Sequence, residues 1–313
     1  MTISDILGCA GPVILVLLAS VWIPLFGPFL SLLTPLPFLF YLSKLGLKEG
    51  IKVCLIALLA VGIVARLLGE PRLVLLCLAF GLLGLILSEL YKREYSYSRT
   101  IFSGTLLMLL VGAAFMLYEN VTSGVFPVET VVSELKTGMN AGIAMSQKEG
   151  LNPERIDQVR KLFQVLIALI EKTYLFLAVF GTGFTVWLNV VLSKPLFRLK
   201  GIKYPDLGRS DMWSAPEFLV WVLIAAGFSK LLSITGLDFA STNTLLIISA
   251  IYVFHGLSII LFFFNKYNVP VLSRIIIYLI IVLQQFPVFL ALLGLFDQWF
   301  DFRKINRKTR TTD

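Results

Sequence analysis

The sequence predicts an all-α, polytopic transmembrane helical bundle of about 8 spans, with 8-9 candidates. Three observations predict it. Of 313 residues, 58% are hydrophobic and only 15% charged, against roughly a quarter charged in soluble domains. Apolar runs of about twenty residues recur, each able to cross a ~30 Å hydrocarbon core. The chain lacks the ~10-residue alternation of a membrane barrel, and lipid cannot satisfy open strand edges, so the backbone must be mostly helix.

Candidate spans lie at 6–22, 26–43, 51–69, 72–91, 100–119, 172–193, 216–235, 242–265 and 272–300. The first two share Pro12, Pro24, Pro28, Pro35 and Pro37, which fits either a tight hairpin or one broken element. The whole chain reads as a single integral membrane domain.

Charge assigns the sides. Lys44, Lys48 and Lys52 mark one turn, and Lys92, Arg93 and Arg99 another. Lys194, Arg198, Lys200, Lys203 and Arg209 mark a basic loop at 194-213. The positive-inside rule places all three in the cytoplasm; the basic tail at 301-313 should join them, but three candidate spans after the 194-213 loop would put it outside unless one of them does not cross. The net charge of +8 is spread over these short loops, so it points to anionic lipid and not to nucleic acid. The balance reverses in 119-171, which reads as an extracytoplasmic helical insertion. Between Glu119 and Asp157 six acids face three bases. There Val128, Val131, Val132, Leu135, Met139 and Ile143 make one apolar stripe, as on an amphipathic helix. It fits a helix lying on the membrane or bundle, or a lid over an outward cavity. Asn152 then reads as an N-cap with Pro153 at the first helical position. No breaker follows until Gly181, so a helix over 153–193 spans about 60 Å, more than the bilayer.

Polar groups deep in a span cost roughly 2.5–3.5 kcal/mol when charged, so the survivors are the candidate sites. His255 is the only histidine, and Gln284 and Gln285 lie at matching depth in the next span. They fit a substrate- or proton-binding patch, or interhelical hydrogen bonding. Lys230 either snorkels to the interface or meets an anionic ligand. Cys77, Gly81, Gly84 and Ser88 form one small-residue face, for packing within the chain or for a partner subunit. Cys9, Cys54 and Cys77 lack metal or redox spacing and read as buried apolar residues. No P-loop, HExxH or GxSxG occurs, and one histidine excludes a His-pair metal site, so no catalytic residue, metal or cofactor is expected.

The stretch "GLFDQWFDFRK", Gly294 to Lys304, ends the last span. Trp299 and its phenylalanines match an interfacial aromatic belt. Asp301 is spaced to pair with Lys304, and Arg303 and Lys304 favour anionic lipid. Asp297 is left in need of a cation, as a structural lock or a docking point.

This stretch, with "GPFLSLLTPLPFLFYLSKLG" at 27–46, resembles the YybS-like family of uncharacterised bacterial membrane proteins. That family is grouped distantly with the substrate-binding S components of energy-coupling-factor transporters. The resemblance implies a multi-pass protein of the bacterial inner membrane. It implies small-molecule binding or transport in a helical bundle, with a coupling subunit and ATPases on separate chains. This chain has more candidate spans than the usual six of S components, and its first span lacks their AxxxA coupling face. The alternative is a non-catalytic membrane subunit or scaffold that assembles with other membrane proteins.

Overall fold

The computed structural model describes residues 1–23, 27–70, 72–124, 127–148, 152–232, 236–283 and 286–304. All regular structure among them is helical. The elements are α1 (Ile3–Trp22), α2 (Gly27–Ser31), α3 (Pro35–Leu67), α4 (Arg72–Lys92), α5 (Tyr97–Ser123), α6 (Pro127–Lys148) and α7 (Pro153–Leu199). A 3₁₀ turn at Ser210–Met212 follows, then α8 (Leu219–Leu231), α9 (Asp238–Lys266), α10 (Val271–Leu283) and α11 (Pro287–Phe300). Among the described residues, six candidate spans are long and apolar enough to cross a membrane: Ile3–Ser20, Phe29–Leu67, Leu73–Lys92, Tyr97–Thr122, Pro153–Leu199 and Asp238–Lys266. The helices α8, α10 and α11 are apolar but run only 13, 13 and 14 residues, about 20 Å each at 1.5 Å per residue.

Two boundaries differ from the sequence reading. The candidates at 26–43 and 51–69 fall largely in one helical element, α3, broken at Gly46 (φ 76°, ψ 172°). Glycine reaches this backbone at no steric cost. The break brings Gly50 against Leu42, so that a Cβ on Gly50 would lie 2.8 Å from the Leu42 Cα. The candidate at 272–300 is two helices, because Pro287 opens α11 at its first turn. Proline has no N–H to continue a preceding helix but suits a helix start.

By its contacts the chain forms two compact units: Met1–Val111 with Gly181–Gly208, and Gly112–Phe180 with Arg209–Asp313. Uniform hydropathy gives no linker to mark a division, and the helices α5 and α7 run unbroken through the boundary positions.

In the first unit α3 packs between α1 and α4. Thr2 and Asp5 form a capping box at the start of α1, and Lys44 of α3 closes on Asp5 at 2.6 Å. Cys9, Cys54 and Cys77 come from three helices into one apolar core with Val13, Phe38, Val53 and Val61. All three thiols are free and buried. The small face of α4 is used here. Cys77 lies in that core, Gly81 and Gly84 face Phe38, and Ser88 accepts a hydrogen bond from Ser43 at 3.3 Å. The face is therefore spent on packing within the chain. Asn189 of α7 is buried and donates to the carbonyls of Leu32 (2.9 Å) and Thr185 (2.8 Å).

In the second unit α9 is the central element, with α8 and α11 packed on it. Ala215, Val220, Ile248 and Tyr252 form its buried apolar core. The start of α7 is as the sequence predicts: the Asn152 side chain accepts from the Glu154 amide at 2.9 Å. At 47 residues α7 is longer than the predicted 153–193, about 70 Å at 1.5 Å per residue. Beside its N-terminal half lies α6. Val132 and Ile143 of the predicted stripe are buried, Lys136 pairs with Glu171 at 3.6 Å, and the two helices border a groove of about 390 Å³ lined by Val131, Leu135, Met139 and Phe163.

Candidate functional site: a buried His–Asp–Arg centre

The three-residue 310 turn and the C-terminal arm after α11 both fold back onto α9. Ser258 of α9 sets the turn. Its hydroxyl proton lies between the carbonyls of Trp213 (2.8 Å) and Ser210 (3.0 Å). One turn back along α9, the His255 ring meets Trp213 edge-on, with centroids 6.0 Å apart. α11 is held close by two glycines. A Cβ on Gly294 would lie 2.9 Å from the Gly256 nitrogen and 3.0 Å from the His255 Cβ. Asp297 follows Gly294 by three residues, so it also faces α9.

At the end of α11, Asp301 takes a left-handed conformation (φ 46°) and caps the helix through its amide on the Asp297 carbonyl. The chain reverses there. Phe302 donates its amide to Asp297 Oδ1 at 2.8 Å, and Arg303 is drawn inward. Lys304, again with positive φ (54°), ends the turn.

The result is a closed polar centre. His255 is 1% exposed, Asp297 6% and Arg303 6%. Arg303 Nη2 donates to Asp297 Oδ2 and to His255 Nε2, both at 2.9 Å. Arg303 Nη1 reaches the carbonyls of Asp211 (3.0 Å) and Trp213 (2.9 Å) and the Ser258 hydroxyl (3.1 Å). His255 Nε2 and Asp297 Oδ2 are 3.1 Å apart. One Nη2 carries two protons, so it serves the carboxylate and the imidazole together. If Nε2 accepts from Arg303, the proton of a neutral ring lies on Nδ1; if Nε2 donates to Asp297, it lies on Nε2. Nδ1 has no partner, and neither does Arg303 Nε. Buried polar atoms left without a partner are uncommon and costly.

A second polar layer joins the turn to the end of α9. Arg209 bonds both oxygens of Asp211, at 3.0 and 2.7 Å. Asn265 donates to Asp211 Oδ2 at 3.0 Å, and Arg274 donates to Asn265 Oδ1 at 2.9 Å. The Arg209 guanidinium holds the Asp211 carboxyl below its usual range, against the opposing effect of burial.

The residues singled out in the sequence are only partly brought together. His255 is at the centre. Gln284 and Gln285 lie outside the described residues. Lys230 is elsewhere: it forms an ion pair with Asp238, which Lys172 also meets at 3.2 Å, and it donates to Thr242 at 2.9 Å. Thr242 is thirteen residues from His255 on the same helix, about 20 Å away at 1.5 Å per residue. Asp297 has the cation its position demanded, and that cation is Arg303. Arg303 is thus a buried ligand of Asp297, not the lipid-facing tail residue the charge pattern suggested. The left-handed turn at Asp301 is the reason. Trp299 is exposed. Sequence reasoning missed Asp211 and Ser258. Their sole signal was a charged or hydroxyl residue beside an apolar run.

Ser258, His255 and Asp297 are close but are not wired for nucleophilic catalysis. The Ser258 hydroxyl bonds to carbonyls and to Arg303, whereas a nucleophile needs its base within hydrogen-bond reach. Among the described residues, no group of three or more His, Cys, Asp or Glu is placed to hold a metal ion.

A family model described as "Predicted membrane protein (DUF2232)" matches residues 12–298. The chain belongs to this family. The match covers α9 and α11 with His255 and Asp297, and makes the chain a multi-pass membrane protein. The DUF2232 chain is also similar to "Uncharacterized protein YybS" of Bacillus subtilis (strain 168). It is 24% identical to that protein over 300 residues, which cover 92% of this chain and 93% of that one. The resemblance read from residues 27–46 and 294–304 is thereby borne out. No solved structure matches this DUF2232 protein.

Proposed function

We propose that this protein binds a small polar solute inside the membrane and moves or presents it, with the His255–Asp297–Arg303 centre as its working part. One observation carries the reading: three ionisable groups and Ser258 are packed together, all but excluded from solvent, while His255 Nδ1 and Arg303 Nε have no hydrogen-bond partner. Ionisable groups inside a membrane bundle are expensive and mark substrate or ion pathways. Arg303 Nε is a donor in every state, so it suits a ligand bearing an oxygen acceptor. The same wiring supports binding and not catalysis, so the protein is read as a non-enzyme. The charge pattern supports a bacterial inner-membrane location with the 194–213 loop inside and residues 119–171 outside. A coupling subunit and ATPases on other chains would energise it if it works as S components do. Packing of Cys77, Gly84 and Ser88 within the first unit counts against the scaffold reading through this face.

The test is ligand retention. The protein would be purified gently in lipid nanodiscs, and small molecules released on denaturation identified by mass spectrometry. A retained polar metabolite that is lost in His255→Ala supports the reading. A wild-type protein that retains none, and that no metabolite pool stabilises against heat, overturns it.

A further inference from the structure

We infer that the C-terminal arm is a proton-released latch: Arg303 and a protonated His255 compete for one place beside Asp297. The geometry forces the competition. His255 Nε2 lies 2.9 Å from Arg303 Nη2 and 3.1 Å from Asp297 Oδ2. While the ring is neutral with its proton on Nδ1, Nε2 accepts from Arg303 and the arm is held. A proton added at Nε2 removes that acceptor. It also gives the imidazolium an N–H aimed at Asp297, and puts a second cation in contact with the guanidinium. The carboxylate then has a cation from α9 and no longer depends on the arm.

The groups around His255 leave the extra charge uncompensated. From α11 there is Asp297 alone, already shared. From the arm there is Arg303. From the turn there is Asp211, whose carboxylate is engaged by Arg209 and Asn265 and whose carbonyl faces Arg303. α9 itself contributes Tyr252 and Ser258. The arm is also the element that can leave. Asp301 and Lys304 both hold positive φ, a conformation that L residues other than Gly, Asn and Asp rarely adopt. Binding at two sites that oppose each other is reciprocal: acid loosens the arm, and a loosened arm strengthens proton uptake by His255.

The latch is independent of the solute reading, because its test involves no ligand. A nitroxide spin label would be placed through Lys304→Cys in the full chain in nanodiscs; Cys9, Cys54 and Cys77 are buried and free, and a label-treated parent lacking this substitution gives the background. The expected spectrum is immobilised at pH 8. The mobile-to-immobile ratio should rise as pH is lowered from 8, by up to about tenfold per pH unit for one linked proton. It should stay flat in a His255→Gln background and be mobile at both ends in Asp297→Asn. A label already mobile at pH 8, a ratio that ignores pH, or the same pH slope in His255→Gln each overturns the latch. Should Asp297→Asn fail to fold, the comparison of parent with His255→Gln decides alone.

Discussion

Gly256 of α9 and Gly294 of α11 meet with no room for a side chain on either. A Cβ on Gly294 would lie 2.9 Å from the Gly256 nitrogen and collide with the Tyr252 carbonyl, while one on Gly256 would collide with the carbonyl of Leu290. Small residues let helices approach closely in lipid, and here the approach sets the position of Asp297. Gly294→Ala should lower stability by about 1–3 kcal/mol through overpacking. Thermal unfolding in mild detergent checks it, and an unchanged melting temperature would show that α11 is free to shift.

Asp297 and Arg303 should show strong coupling at neutral pH. Removing one partner of a buried ion pair leaves the other charge uncompensated and costs about 3–5 kcal/mol. Replacing both by apolar residues, as in Asp297→Leu with Arg303→Met, should cost less than either single change. A double-mutant cycle of unfolding free energies measures this. Additive losses would mean that the two groups act separately.

On the small face of α4, two glycines should behave differently. A Cβ on Gly84 would stand 2.6 Å from the Phe38 Cβ and 2.9 Å from the Leu39 nitrogen, whereas one on Gly81 meets nothing nearer than 3.9 Å. Gly84→Ala should be destabilising. Gly81→Ala should be neutral or gain up to about 1 kcal/mol from helix propensity. Melting temperatures of the two variants, compared side by side, test the assignment of this face to internal packing.

Asn243 reads the backbone of α7. Its side chain accepts from the Phe176 amide at 2.8 Å and donates to the Lys172 carbonyl at 2.9 Å. Asn243→Ala should cost about 1–3 kcal/mol, the penalty of stranding buried polar groups. Hydrogen exchange should speed up around Phe176. Unaltered exchange there would mean that α7 closes its own ladder without help.

Asp211 should limit stability in acid. Its folded carboxyl titrates below the ordinary range, chiefly because of Arg209. A depressed acid contributes stability above its unfolded pKa, near 4, and loses it as pH falls through the lower folded value. Wild-type stability should therefore drop below about pH 4 more steeply than that of Asp211→Asn. Matching acid limbs would remove this role.

Some of the architecture was legible and some was not. Asn152 could be read as a cap because capping involves neighbours within one turn. The length of α7 followed because no breaker interrupts the run. Asp297 was recognisable as an acid in need of a cation. Its partner was hidden, since a basic residue after the last span looks like every other tail residue until the left-handed turn at Asp301 redirects it. His255 stood out as the only histidine, but its neighbours in the fold lie 42 and 48 positions away. The break at Gly46 was equally hidden, because a glycine between two apolar runs fits a loop as well as a kink.

The sequence by itself determined that this is an all-α membrane protein, that its helices are apolar around most of their surface, and where α7 begins. These follow from composition and from periodicity within a few turns, which act locally. Only the tertiary structure decided that α3 bends at Gly46, that the α4 face is buried within its own unit, and that His255, Asp297 and Arg303 form one closed centre. Those outcomes depend on which helices approach one another. In an apolar chain nearly every helix face satisfies lipid equally well, so close packing between small residues and the pairing of rare polar groups make that choice.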